Sequence, residues 1–271
     1  MDSNIWKVSR KYQYCLVTNH SVFKEKNISM KSVLILIPTY NESENIENLL
    51  GRLDAARIHL SKDYAVDFLV IDDSSPDKTA QIAKSMTIER LSVLIRDRKT
   101  GLGPAYLAGF KQGLTGNYAY FVEMDADLSH QPEQLADLLH VANEKSLVIG
   151  TRWMAGGSVV NWPARRKLIS RVGTWYASFI LKLPYQDLTS GFRVLPRELL
   201  EKINFNEIET RGYGFQIEMA LKAVESGFGI KQVPITFVER EYGHSKMSLL
   251  IIVESWLMVS KYGFKRMFNR R

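Results

Sequence analysis

From Lys31 onward the chain alternates apolar, β-branched runs of strand length with segments whose apolar residues recur at helical spacing. That alternation restricts it to a parallel sheet covered by helices. Ser32 to Ile37 is a near-continuous hydrophobic strand, Pro38 to Glu42 is a turn, and Ser43 opens a helix in which Ile46, Leu49, Leu50 and Leu53 recur. Tyr64 to Ile71 predicts a second strand, closed by Asp72-Asp73-Ser74-Ser75-Pro76-Asp77 and followed by a helix over Lys78 to Met86. A third unit runs from Leu91 to Ile95 and, past Gly101-Leu102-Gly103, into a helix from Ala105 to Gly113. The fourth strand, Tyr118 to Met124, precedes a helix from Glu133 to Val141 with Pro132 near its first turn, and a fifth, Ser146 to Gly150, ends at Thr151-Arg152. The expected fold class is α/β, a mostly parallel central sheet flanked by helices.

In open parallel sheets ligands sit outside the carboxyl ends of the strands. Glu42, Asp72, Asp73, Asp125, Asp127 and Arg152 each follow a strand, so the topology predicts that they converge. Asp125 and Asp127, one residue apart where a strand ends, can turn toward one hard cation, and carboxylate oxygens are the ligands Mg²⁺ or Mn²⁺ prefer beside phosphates and water. The stretch from Asp72 to Asp77 suits a turn and a helix cap, and it suits ligand contact equally; the two roles are compatible. Gly101-Leu102-Gly103 is too short for a dinucleotide fingerprint but lets backbone approach a ligand, and no phosphate-binding loop of the nucleotide-hydrolase type occurs.

The second half reads differently. Met154 to Asn161, with Gly156-Gly157, is expected as a mobile loop, followed by the basic run Arg165-Arg166-Lys167 and a helix through Trp175 and Phe179. Tyr185 to Pro196 gathers Asp187, Ser190, Gly191 and Arg193, and Arg211 to Glu218 leads into a helix from Met219 to Glu225. Ile230 to Val238 predicts one short strand, placed at an edge because Pro234 lies inside it.

Composition limits the alternatives. One cysteine, Cys15, excludes an intrachain disulfide and a cysteine metal cluster, which fits a reducing cytosolic compartment. No run approaches the roughly 20 apolar residues of a bilayer span. The formal net charge of +7 is concentrated toward the ends, and residues 261–271 carry Lys261, Lys265, Arg266, Arg270 and Arg271 without an acid. Such a tail favours an anionic surface; no aromatic and basic ladder accompanies it, which argues against nucleic acid. Three regions are expected: residues 1–30 as a poorly ordered extension, 31–248 as the catalytic-size domain, and 249–271 as an amphipathic basic segment that lies in a membrane interface, the alternative being that Leu249 to Val259 packs against the domain and only the last residues are solvated.

Seven segments together carry a resemblance: Ile37 to Glu42, Val70 to Asp77, Gly101-Leu102-Gly103, Met124 to His130, Gly150-Thr151-Arg152, Thr189 to Arg193, and Gly243-His244-Ser245-Lys246. In order and number they resemble the inverting, nucleotide-sugar-dependent glycosyltransferases of the GT-A type, family 2, and within it the polyprenol monophosphomannose (dolichol-phosphate mannose) synthases. The resemblance implies a GT-A fold and mannose transfer from GDP-mannose to a polyprenyl monophosphate with Mg²⁺ or Mn²⁺. The alternatives are a related transferase using glucose or another sugar from a UDP-sugar, or a non-catalytic nucleotide-sugar binding protein. It implies a metal on Asp125 and Asp127, with Asp127, Arg152 and Arg240 in catalysis. Donor contacts fall to Pro38, Tyr40, Glu42, Asp72, Asp73, Gly101, Ala126, Arg152, Arg240 and Lys246, and the acceptor phosphate to Ser190 and Arg193. The transmembrane helices of some members have no counterpart here, which implies a peripheral protein on the cytoplasmic face of a membrane, its partners a polyprenyl phosphate and an anionic lipid surface.

Overall fold

The computed structural model describes residues 30–210, 212, 214–240 and 256–264. A seven-stranded sheet forms its centre, in the order β3-β2-β1-β4-β7-β5-β8, where β1 is Lys31–Thr39, β2 Tyr64–Asp72, β3 Leu91–Ile95, β4 Tyr120–Glu123, β5 Ser146–Thr151, β7 Arg193–Pro196 and β8 Gly229–Pro234. β7 runs antiparallel to both β4 and β5, and every other pairing is parallel. The expected mixed, largely parallel sheet is present.

Alternation along β1 shows how the sheet carries two cores. Leu34 and Leu36 face one side and Val33, Ile35 and Ile37 the other, all buried, as a strand covered on both faces requires. Helices α1 (Ile46–Leu60), α2 (Thr79–Ser85) and α4 (Leu135–Val141) cover the second side through Leu49, Leu53, Ala83 and Leu138. The opposite side is covered by α3 (Leu102–Leu114), α5 (Ala164–Leu181), α6 (Arg197–Lys202) and α7 (Gly214–Glu225), which contribute Phe110, Leu181, Leu199 and Phe215. A Cβ on Gly109 of α3 would stand 2.5 Å from Ile71 Cδ1, so glycine sets the distance at which this helix crosses the sheet.

The structure corrects two expectations. The segment from Met154 to Asn161 contains a strand, β6 (Ser158–Val160), which pairs in parallel with β9 (Thr236–Val238). The single strand expected over Ile230 to Val238 is therefore two: β8 ends at Pro234 on the sheet edge, and past Ile235 the chain joins the ribbon. Proline cannot donate to a ladder, so the break falls where the pairing changes. β7 and α6 were not anticipated, because Val194 and Leu195 make too short an apolar run to register as a strand alone.

The expected extension over residues 1–30 lies outside the described residues except for Met30. Residues 256–264, inside the segment expected to lie in a membrane interface, are helical and packed on the domain. Val259 is buried, Trp256 stacks on Tyr176 of α5 at 4.9 Å, and the Tyr176 and Ser260 hydroxyls are 2.7 Å apart. The Tyr262 hydroxyl donates to Glu218 of α7.

Candidate active site

At the end of β4 the chain leaves the sheet after Met124 N–H reaches Leu36 O, and the next residues form a tight acidic turn. Asp125 N–H donates to His130 Nδ1 at 3.2 Å, which assigns that ring nitrogen as an acceptor. His130 is buried between Phe192, stacked at 5.3 Å, and the edge of Phe237; burial pushes its pKa down, so it serves as a neutral prop. Leu128 takes a left-handed conformation (φ +61°), letting Ser129 N–H donate to Asp127 Oδ1 at 3.1 Å. Asn41 and Ser74, in the loops after β1 and β2, are also left-handed, so the carboxyl edge of the sheet gathers backbone strain of the kind that marks working sites.

The two acids are held differently. Asp127 is buried and its Oδ2 meets Arg240 Nη2 at 2.9 Å. Among the described residues the Asp125 carboxylate accepts no hydrogen bond; its Oδ2 lies 3.8 Å from His130 Nδ1, and its side chain remains 31% exposed. Burial raises its pKa, with Asp127 and Glu42 adding to the effect and His130 and Arg240 opposing it. An acid without a donor, beside a second acid, is the donor set that a hard divalent ion fits. No group of three or more such ligands occurs among the described residues.

Other residues expected at the site line the same edge. Lys99 Nζ lies 4.0 Å from the Tyr40 ring centre, Pro38 stays within β1, and Glu42, nearly buried, accepts from Asn45 Nδ2 at 2.8 Å. Asp72 is turned inward: Oδ1 accepts from Thr39 and Ser75 hydroxyls and Oδ2 from Ser75 N–H, so it shapes the turn that follows it. Asp73 is paired with Arg96 at 2.7 Å. Gly101 (φ +112°) caps α3 in a conformation that side chains resist. The Ala126 side chain is in the apolar core, which leaves only its backbone to a ligand.

Two arginines expected at the phosphates have partners inside the protein. Arg193 is fully buried: Nε donates to Ser190 O, Nη1 to Gln216 O and Nη2 to Leu188 O. Its guanidinium braces the loop before β7. Arg152 is bidentate on Asp187, itself fully buried, at 2.7 and 2.8 Å, and also donates to Thr189. Its charge is matched inside the protein by Asp187. Ser190, 1% exposed, stands in the braced loop, and a Cβ on neighbouring Gly191 would be 3.4 Å from Asp125 Oδ1, so this loop backs the acidic pair. Lys246, with Gly243 to Ser245, lies outside the described residues.

Sequence reasoning assigned no role to Asp187 or Glu123. Asp187 sits in the same short segment as Arg193, but only the fold brings it to Arg152, 35 residues away. Glu123, the last residue of β4, is fully buried with Arg193 Nε at 4.0 Å. Burial pushes its pKa up to about 7 against the pull of Arg193. An acid inside an apolar strand was the available signal.

The sequence profile described as "Glycosyl transferase family 2" matches residues 34–204. Among curated relatives, the polyprenol monophosphomannose synthase of Mycolicibacterium smegmatis is 42% identical over 243 residues, 88% of this chain and 89% of the relative. The undecaprenyl-phosphate mannosyltransferase of Micrococcus luteus is 47% identical over 233 residues, covering 85% and 93%. A solved structure of Mycobacterium tuberculosis glucosyl-3-phosphoglycerate synthase, in complex with Mn²⁺, UDP and glucosyl-3-phosphoglycerate, superposes with a TM-score of 0.60 at 19% identity over 87% of this chain and 80% of that one. Mannosyl-3-phosphoglycerate synthase from Rubrobacter xylanophilus gives 0.59 at 20% identity, over 89% and 75%. At such identities these structures show the shared fold.

Proposed function

We propose that this chain, which belongs to glycosyl transferase family 2, transfers mannose from GDP-mannose to a polyprenyl monophosphate, with inversion. The observation that carries the reading is the acidic pair Asp125 and Asp127 at the carboxyl end of β4 in a chain more than two-fifths identical, over most of its length, to two transferases of that description. A divalent ion, Mg²⁺ or Mn²⁺, held by both acids would neutralise the donor diphosphate as the sugar leaves. Arg240, already on Asp127, adds positive charge beside the same phosphates.

The acceptor phosphate is ionised near neutral pH and needs no strong base to attack. Its oxygen forms a bond to the anomeric carbon while the bond from that carbon to the GDP diphosphate breaks, and the electron pair leaves with the diphosphate. One in-line displacement turns an α-linked donor into a β-linked mannosyl phosphate. His130, buried and neutral, is consistent with a site that moves no proton. A polyprenyl tail stays in a bilayer, so the enzyme works at a membrane surface, on the cytoplasmic face where nucleotide sugars are supplied. None of the described helices is long and apolar enough to cross a membrane.

Purified protein incubated with Mg²⁺ or Mn²⁺, a polyprenyl phosphate and labelled sugar nucleotides tests the reading. The expected product is a mannosyl phosphoryl lipid formed from GDP-mannose. A lipid product formed from a UDP-sugar in its place would overturn the donor assignment, and no lipid product from any donor would overturn the activity.

A further inference from the structure

Helix α5 carries two apolar faces. One, through Thr174, Ala177 and Leu181, is buried against the domain. The other lines up Leu168, Ile169, Val172, Trp175 and Phe179, at spacings of one, four, seven and eleven residues, and all five are exposed, from 41% to 67%. Trp175 and Phe179 stack on each other at 5.6 Å in the open. Residues 256–264 pack beside α5 and add Leu257 and Phe264, exposed at 67% and 61%. Exposed aromatic and aliphatic groups in such a row mark a surface that meets something apolar.

The charge around the row says what. α5 contains Arg165, Arg166, Lys167 and Arg171 and no acid; Lys182 follows it, and residues 256–264 contain Lys261 and no acid. At 18 residues and 1.5 Å each, α5 is about 27 Å long, yet four cations forbid a span, so it suits lying flat in a headgroup layer. The site is close by: Arg166 pairs with Glu239, the neighbour of the Arg240 that holds Asp127.

We infer that the outward face of α5, with the exposed side of residues 256–264, is the surface on which this protein lies against an anionic bilayer. The inference rests on the proposed membrane-held acceptor, to whose phosphate this placement would present the acidic turn. Trp175 and Phe179 enter below the headgroups, and the basic residues flank them beside lipid phosphates.

Full-length protein is sedimented with vesicles of phosphatidylcholine, alone or mixed with phosphatidylglycerol, beside the double variant Trp175→Glu, Phe179→Glu. The wild type should pellet with the anionic vesicles, less so at high salt, and the double variant should bind at least about tenfold more weakly. Both side chains are exposed, so its melting curve should match the wild type. Brominated lipid should quench wild-type tryptophan fluorescence more than that of Trp175→Phe, a variant that keeps the apolar face and should still bind. Equal pelleting of the wild type and the double variant, or no pelleting of the wild type, would overturn the inference. So would a wild-type dimer in sedimentation velocity that the double variant abolishes while neither binds vesicles, an outcome that assigns the face to a second copy. Transfer to a short-chain, detergent-dispersed isoprenyl phosphate should be unchanged in the double variant. Failure of the wild type in that assay, with face-dependent vesicle binding intact, would strike the transferase reading and leave the docking face standing.

Discussion

Asp125 and Asp127 are one residue apart and are held differently: Arg240 and Ser129 engage Asp127, while among the described residues the Asp125 carboxylate accepts no hydrogen bond. Replacing Asp127 with Ala removes a turn acceptor and a charge without opening the core. The fold should survive, and metal-dependent transfer should fall by about a hundredfold or more, in line with a Lewis acid supplying several kcal/mol to the transition state. Initial rates at saturating Mg²⁺, with Mn²⁺–GDP titration as a second readout, check this. Arg193 gives the opposite expectation. Its guanidinium is buried among three carbonyls beside Glu123, so Arg193→Ala should cost about 3–5 kcal/mol of stability, as removal of one partner from a buried charged network does. Chemical denaturation measures that loss. A selective rise in acceptor KM at unchanged stability would return Arg193 to the acceptor site.

Strands and loops show where the sequence was legible. β1 to β5 were readable because each is a largely apolar run followed by polar turn residues, and the acids that follow several of them gather at one edge by topology. β7 was not, since it enters antiparallel between β4 and β5 and is specified by long-range partners. Arg152 shows a related limit: its partner Asp187 is supplied only by the fold, from a distant loop. That pair now joins β5 to the loop ahead of β7, and it makes a pH prediction. Burial alone would raise the Asp187 pKa, but Arg152, by charge and hydrogen bonds, lowers it overall below the usual carboxylate value. A depressed folded-state pKa contributes stability above the unfolded pKa and loses it as pH falls through the folded one. Asp187→Asn should therefore be destabilised at neutral pH by about 3–5 kcal/mol, with the gap to wild type narrowing as pH drops below about 4. Urea midpoints across pH 3–8, roughly spanning the carboxylate range, read it directly.

At the scale of the whole molecule, the question is how the tail serves both the core and a surface. Of the residues 249–271 expected as one interfacial segment, those described, 256–264, pack on the domain. Residues 256–264 place Val259 in the core, Met258 against Gly214 and the Tyr262 hydroxyl on Glu218, which also accepts from Thr210 N–H. Ending the chain before Trp256 should strip this cover from α5 and α7 and cost about 2–5 kcal/mol, the range for opening a large apolar cavity, with a lower melting temperature to match. Ending it after Phe264 removes Lys265, Arg266, Arg270 and Arg271 and none of those contacts. That shorter chain should melt as the full one does. Its binding to anionic vesicles should weaken by up to about 1 kcal/mol for each basic residue that had reached the lipid surface, while binding to neutral vesicles stays as it was. Thermal melting and vesicle sedimentation on the two truncations therefore separate packing from surface attraction. A long truncation that melts unchanged would show that residues 256–264 contribute nothing to the fold, and a short one that binds anionic vesicles as tightly as the full chain would confine the electrostatic contact to α5.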